Sequence, residues 1–188
     1  MTELDAVNLV LEALGESPVA STDLRHPTVA LALRHIRRLQ EALLAESWYF
    51  NTVKATLTPD VNSKIALPAS YLSVSKISPL SAWATQLPIR SGYLLNIDTN
   101  SLVWGGPIVV SAKLDLSFTD IPVAAQQAIA YRAAYTAYAS DVGDAGAAIW
   151  GQLAQESYAN LSAENARQLR HNTKSTAAWG KYRESLRG

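Results

Sequence analysis

Residues 47–61 read SWYFNTVKATLTPDV, and within them the chain changes its hydrophobic period. Upstream, Val29, Leu33, Ile36, Gln40 and Leu43 recur at three- and four-residue spacing, which places them on one face of a helix. Downstream, Tyr49, Val53, Ala55 and Leu57 alternate with Phe50, Thr52, Lys54 and Thr56. That two-residue period belongs to a strand, although Phe50 and Asn51 interrupt it. The pattern predicts a helix over 27–47, opened by Pro27 in its first turn where a missing N–H costs nothing. A strand over 49–57 follows.

Working toward the C-terminus, prolines 59, 68, 79, 88 and 107 cut the chain into short pieces. Strand-like runs fall at 65–67, 71–77, 86–90, 93–97, 101–104 and 108–118. Ser91-Gly92, Asp98-Thr99-Asn100 and Gly105-Gly106 supply turn chemistry between them. Helical periodicity returns after Asp120-Ile121-Pro122, a helix-start signal. Tyr131, Tyr135 and Tyr138 share one face there. Ala130, Ala133, Ala134 and Ala137 line another, small enough to admit a neighbouring helix closely. A break over 141–146 precedes a further helix from Ala147 to about Arg170, with Trp150, Leu153, Ala154, Ser157 and Leu161 on one face. The last 18 residues read as extended or irregular.

Toward the N-terminus, Val7, Val10, Leu11 and Leu14 form another helical face. Thr2 with Asp5 resembles a capping box, Gly15 is a natural stop, and Pro18 lies in a polar connector. Helix, helix, strands, helix, helix predicts an α+β fold. A helical bundle is expected from 1–48 and 119–170, a central antiparallel β domain (sheet or small barrel) from 49–118, and a basic extension from 171–188.

Composition narrows the function. The 188 residues carry 16 basic and 16 acidic side chains and no cysteine. Disulfides, thiolate catalysis and cysteine-based zinc sites are thereby excluded. Only 17% of residues are charged, below the usual ~25%, as expected of a surface partly covered by partners. The acidic start Met1-Thr2-Glu3-Leu4-Asp5 lacks the pattern of a secretory or transit peptide. The least polar long stretch, 121–139, holds Gln126, Gln127 and Arg132, so no membrane association is expected. Charge is uneven: residues 165–188 hold six basic side chains against Glu184, while the remainder holds ten basic and fifteen acidic.

Chemical motifs are sparse. His26, His35 and His171 show no ligand spacing, so no metal is expected. There is no G-x-S-x-G, no P-loop and no G-x-G-x-x-G, and no cofactor is implied. Asp98, Asp115 and Asp120 could be paired as glycosidase carboxylates, but turn and helix-start roles explain Asp98 and Asp120 more simply. We therefore expect no catalytic residues. The basic end combines Arg167, Arg170, Lys174, Lys181, Arg183 and Arg187 with Trp179 and Tyr182, cations with aromatic anchors suited to a protein groove. Nucleic acid is a second candidate partner for it.

Several blocks resemble the head-to-tail adaptors, or tail tubular proteins, of short-tailed bacteriophages. The first is residues 6–19, AVNLVLEALGESPV, in which Ala6, Val7 and Asn8 open the helix and Gly15 and Pro18 close it. The second is Trp48 to Asn51, with Phe50, followed by Leu57 to Val61 with Pro59 and Asp60. Leu67-Pro68, Tyr71 to Val74, Arg90 to Leu94 and Asp120 to Pro122 are similar in kind. The resemblance covers roughly 6–165 and departs at the basic end. It implies a structural virion protein and no enzyme. Such proteins form a dodecameric ring joining the portal protein to the tail nozzle protein at the virion neck, with tail fibres attached nearby in some phages. DNA would pass through the lumen without specific binding, and assembly would take place in the host cytoplasm. Each matched residue also has a mechanical reading as a helix stop, a turn or an anchor. The alternatives are a virion-associated glycan or cell-wall hydrolase and a nucleic-acid-binding module acting through the basic end.

Overall fold

The computed structural model describes residues 1–77, 85–143 and 146–174. Helices stand at both ends of the chain and strands in the middle, so the α+β expectation holds. By contact, the chain divides into a helical unit, Met1–Gln40 with the chain from Phe118 onward, and a β unit, Glu41–Ser117.

In the helical unit, α1 spans Glu3–Ala13. The Thr2 hydroxyl accepts from the Asp5 amide at 3.1 Å, and the Asp5 carboxylate accepts from the Thr2 amide at 2.7 Å. This reciprocal capping box satisfies two amides that a helix start leaves bare. Gly15 ends the turn at φ +74°, a conformation that glycine adopts without steric cost. Ala6, Val7, Val10, Leu11 and Ala13 are buried. Helix α2 spans Pro27–Leu44 and crosses the division between units. Helix α3 spans Val123–Asp141 and α4 spans Ala148–Lys174. Helix α3 packs against both α1 and α4. Its alanines 125, 128, 130, 133, 134 and 137 are all buried, as the small-residue face requires for close approach.

The β unit holds two antiparallel sheets. Strands β1 (Thr52–Leu57), β2 (Tyr71–Lys76) and β3 (Thr85–Gln86) are short. So are β4 (Ile89–Arg90) and β5 (Tyr93–Leu94), whereas β6 (Ile108–Leu114) is the longest. The larger sheet has order β1-β6-β2-β3, and β4-β5 is a separate hairpin. Thr52 to Leu57 pairs with Lys113 to Ile108 without interruption. A bulge between Tyr71 and Ser73 shifts β2 against β6. Ser91 (φ 53°) and Gly92 (φ 81°) close the hairpin with two left-handed residues, the geometry that matches strand twist in a two-residue turn. Leu57, Ile65, Val74, Leu87, Leu94, Trp104, Val110 and Ala112 form the core.

Four expectations are corrected. Helix α2 stops at Leu44 and β1 starts at Thr52 because residues 48–51 form a turn anchored by the Asn51 side chain. The run 86–90 splits at Leu87-Pro88, and 65–67 and 101–104 contribute only isolated bridges, one from Ala66 and two from Ser101 and Val103. The N-cap of α3 is Pro122 without a side-chain cap, and Asp120 lies two residues before it. Helix α4 continues to Lys174, so the start of the predicted irregular extension is helical.

Candidate interaction surfaces

The helix-to-strand joint shows how the sequence blocks are used. Asn51 is fully buried. Its Oδ1 accepts from the Trp48 amide at 2.9 Å, and its Nδ2 donates to the carbonyls of Leu44 (2.8 Å) and Glu46 (3.1 Å). One amide side chain thus satisfies the open end of α2 and fixes the turn into β1. The Trp48 indole donates to the Leu43 carbonyl at 2.8 Å. Phe50 stacks with Trp48 at 6.3 Å between centroids and meets Tyr49 edge-on at 5.3 Å. Lys113 donates to the carbonyl of Ala45.

The first block is tied together in the same manner. Ala6 and Val7 are buried. Asn8 accepts from the Val19 amide at 2.8 Å and donates to the Val19 carbonyl at 3.1 Å, clamping the connector that carries Gly15 and the exposed Pro18. The Thr28 hydroxyl donates to Glu16 at 2.9 Å, joining the connector to α2. In the second block, Asp60 Oδ1 accepts from the amides of Asn62 and Lys64. Sequence reasoning gave no role to Asn51 or to Gln126. Gln126 is 4% exposed and donates to the Phe118 carbonyl at 2.9 Å. Amides at such points look like loop or surface residues until the carbonyls around them are known.

Of the docking candidates, Arg167 is exposed on α4, its Nε donating to Ala163 O. Arg170 and Lys174 have helical backbone on the same element. Trp179, Lys181, Tyr182, Arg183 and Arg187 lie outside the described residues.

Two of the depressions formed by the described residues lie in the helical unit. One of about 360 Å³ is lined by Pro27, Thr28, Ala30, Leu31 and Arg34 at the start of α2. The other, of about 340 Å³, lies between α3 and α4. Neither is lined by a carboxylate. Asp98, offered above as half of a carboxylate pair, is ion-paired with Lys76 at 2.7 Å. Among the described residues no cluster of three metal-ligating side chains occurs, and no helix is long and apolar enough to cross a membrane. Hydrogen bonds from Thr2 hold Asp5 below the usual carboxylate range, and those from Arg25 do the same for Asp23. Burial, then the charges of Arg34 and Arg38, push His35 down.

Exposed apolar side chains occur in both units. Val123, Tyr135, Val142, Ile149, Tyr158 and Leu169 lie in the helical unit. Val61, Ile89, Ile97, Val103 and Val109 lie in the β unit.

Comparison with known proteins is consistent with a structural reading of these surfaces. A family described as tail tubular protein matches residues 4–174. The chain is 31% identical over 177 residues to "Tail tubular protein A" of Klebsiella phage KP34, covering 94% of this chain and 93% of that relative.

Proposed function

Because this chain belongs to the tail tubular protein family, a family of structural phage-tail components, we propose that it is the adaptor ring between the portal and the tail nozzle. The observation that carries this reading is the extent of the match. It runs from the first turn of α1 to the end of α4 and so takes in both units. A similarity confined to a shared β domain would not do so.

The surfaces support assembly. A closed ring needs two unlike patches on each subunit that meet head to tail. Exposed apolar side chains on the helical unit and on the β unit supply unlike candidates. Arg167, Arg170 and Lys174, with Trp179, Lys181, Tyr182, Arg183 and Arg187, are assigned to the portal contact, where cations and aromatics would dock an acidic groove. The body of the chain is acidic and the basic side chains are concentrated at one end. A lumen lined by that body would let DNA slide without tight phosphate binding. The protein acts by binding, with no bond made or broken, at the neck of the virion.

A nonsense codon early in the gene tests the role. Electron microscopy of the resulting lysate should show DNA-filled or leaking heads without nozzles, restored by the protein supplied in trans. Heads bearing complete tails would contradict the adaptor reading.

A further inference from the structure

The turn over Asp60 to Lys64 satisfies its own polar groups and leaves an apolar tip outside. The Asp60 amide donates to the Lys64 carbonyl at 2.7 Å, and the Ser63 amide to the Asp60 carbonyl at 2.9 Å. Asp60 Oδ1 takes the amides of Asn62 and Lys64 at 2.9 and 2.8 Å. Ser63 sits at φ 58°, and its carbonyl accepts from the Trp104 amide at 2.8 Å. A turn bonded this fully holds its shape before any partner arrives, which reduces the entropy lost on binding. At its tip Val61 is 100% exposed. Val103, 53% exposed, bridges to Lys64 beside it. Two valines beside the exposed Asp60 carboxylate make a small apolar knob, and the Lys64 ammonium of the same turn lies over the Tyr93 ring at 5.3 Å from its centroid.

The depression between α3 and α4 has complementary chemistry. Tyr135 and Tyr158 line it with Gly151, Ala154 and Ala159, and Arg132 contributes a positive charge. Gly151 adds no side chain to it, and a Cβ there would meet the Tyr135 ring at 3.4 Å, an ordinary contact distance. Arg132 makes no ion pair among the described residues. A groove of small and aromatic side chains flanked by Arg132 suits an apolar knob that presents the exposed Asp60 carboxylate.

We infer that the Val61 turn of one copy inserts into the α3–α4 groove of a second copy, with Val61 against Ala154 and Ala159 and Asp60 facing Arg132. The inference rests on the ring reading and names its self-contact. Knob and groove are unlike surfaces, and when each copy's knob enters the next copy's groove, head to tail, the contact propagates around a ring.

The absence of cysteine makes the test direct. One preparation carries Val61→Cys alone and another Ala159→Cys alone. They are mixed with the portal ring of the same phage and treated with a short bis-maleimide. Cross-linked heterodimers are expected, and Val61→Cys with Ser140→Cys, on α3 outside the groove, should give none. Independently, Val61→Asp and Arg132→Glu should each weaken ring formation at least tenfold, with unchanged circular dichroism showing that each variant folds. Wild-type rings of normal mass with no Val61–Ala159 cross-link would overturn the knob-in-groove contact while leaving the adaptor role standing. So would a Val61→Asp variant that assembles normally but no longer holds the nozzle. Failure of the wild-type chain to join the portal at all would overturn both.

Discussion

The helical unit and the β unit bury similar aliphatic side chains, but they position them by different means. In α3 the buried alanines 125 to 137 sit on a helix whose hydrogen bonds are all local, and packing needs only that α1 and α4 come close. In the β unit, Leu57, Val74, Leu94, Trp104 and Val110 come from five separate stretches of chain. Short strands cannot hold such a core by pairing alone. The β unit relies in addition on individual polar anchors: Asn51 at its entry and the Trp104 indole on the Leu94 carbonyl at 3.1 Å. The helical unit should therefore resist added bulk poorly. The β unit should fail when one anchor is removed.

Trp104→Ala offers the largest effect. Removing a ring that is 4% exposed, together with its bond to Leu94, should cost about 3–5 kcal/mol. Hydrogen exchange should accelerate across residues 41–117 first. Equal acceleration in α3 would show that the two units unfold as one.

Asn51→Ala comes next, at about 3 kcal/mol, because it removes the side-chain partner of the Trp48 amide and the Leu44 carbonyl at buried bonds, and of the Glu46 carbonyl at a part-buried one. Urea titration read through tryptophan fluorescence would measure it. Asn51→Asp should fare little better, since a carboxylate cannot donate to those carbonyls. A loss below about 1 kcal/mol would show that the entry anchor is dispensable.

In the helical unit the informative change is the opposite one. Ala133→Leu adds bulk to a fully buried position on α3 and should cost about 1–3 kcal/mol by overpacking. Faster exchange confined to the helical unit is the expected signature.

The smallest effect is one of pH. Because His35 titrates below the ordinary imidazole value in the folded chain, the unfolded chain binds that proton more readily. Its neutral form supports folding fully above the unfolded value of about 6.5, and that support fades as pH falls through the lower folded value. His35→Gln should flatten the stability curve below about pH 7. An unchanged curve would show that another group governs that range.

The same contrast explains what could be read from the chain alone. Helical spacing placed α1 to within a residue or two of its observed ends, because capping and burial there are local. Ser91-Gly92 was legible as a turn because left-handed backbone restricts residue choice. The end of α2 was misplaced because the residue that closes it, Asn51, lies seven positions beyond Leu44 and within what scans as a strand. Strands 65–67 and 101–104 shrank to isolated bridges because pairing depends on partners that spacing does not identify. Of the candidate surfaces, the Pro59-Asp60 turn could be read, but not the exposure of Val61 at its tip, which depends on how the turn folds on itself. The α3–α4 groove could not, because Arg132 and Ala159 become neighbours only when two helices pack.

The central claim is that this chain joins a portal as a closed ring. Native mass measurement of the purified protein mixed with the portal ring of the same phage addresses it most directly. Twelve copies of a 20.3 kDa chain would add roughly 240 kDa in a single step, as a closed heterologous ring requires. A complex that grows by single chains without a preferred mass, or no complex between two folded partners, would contradict the account.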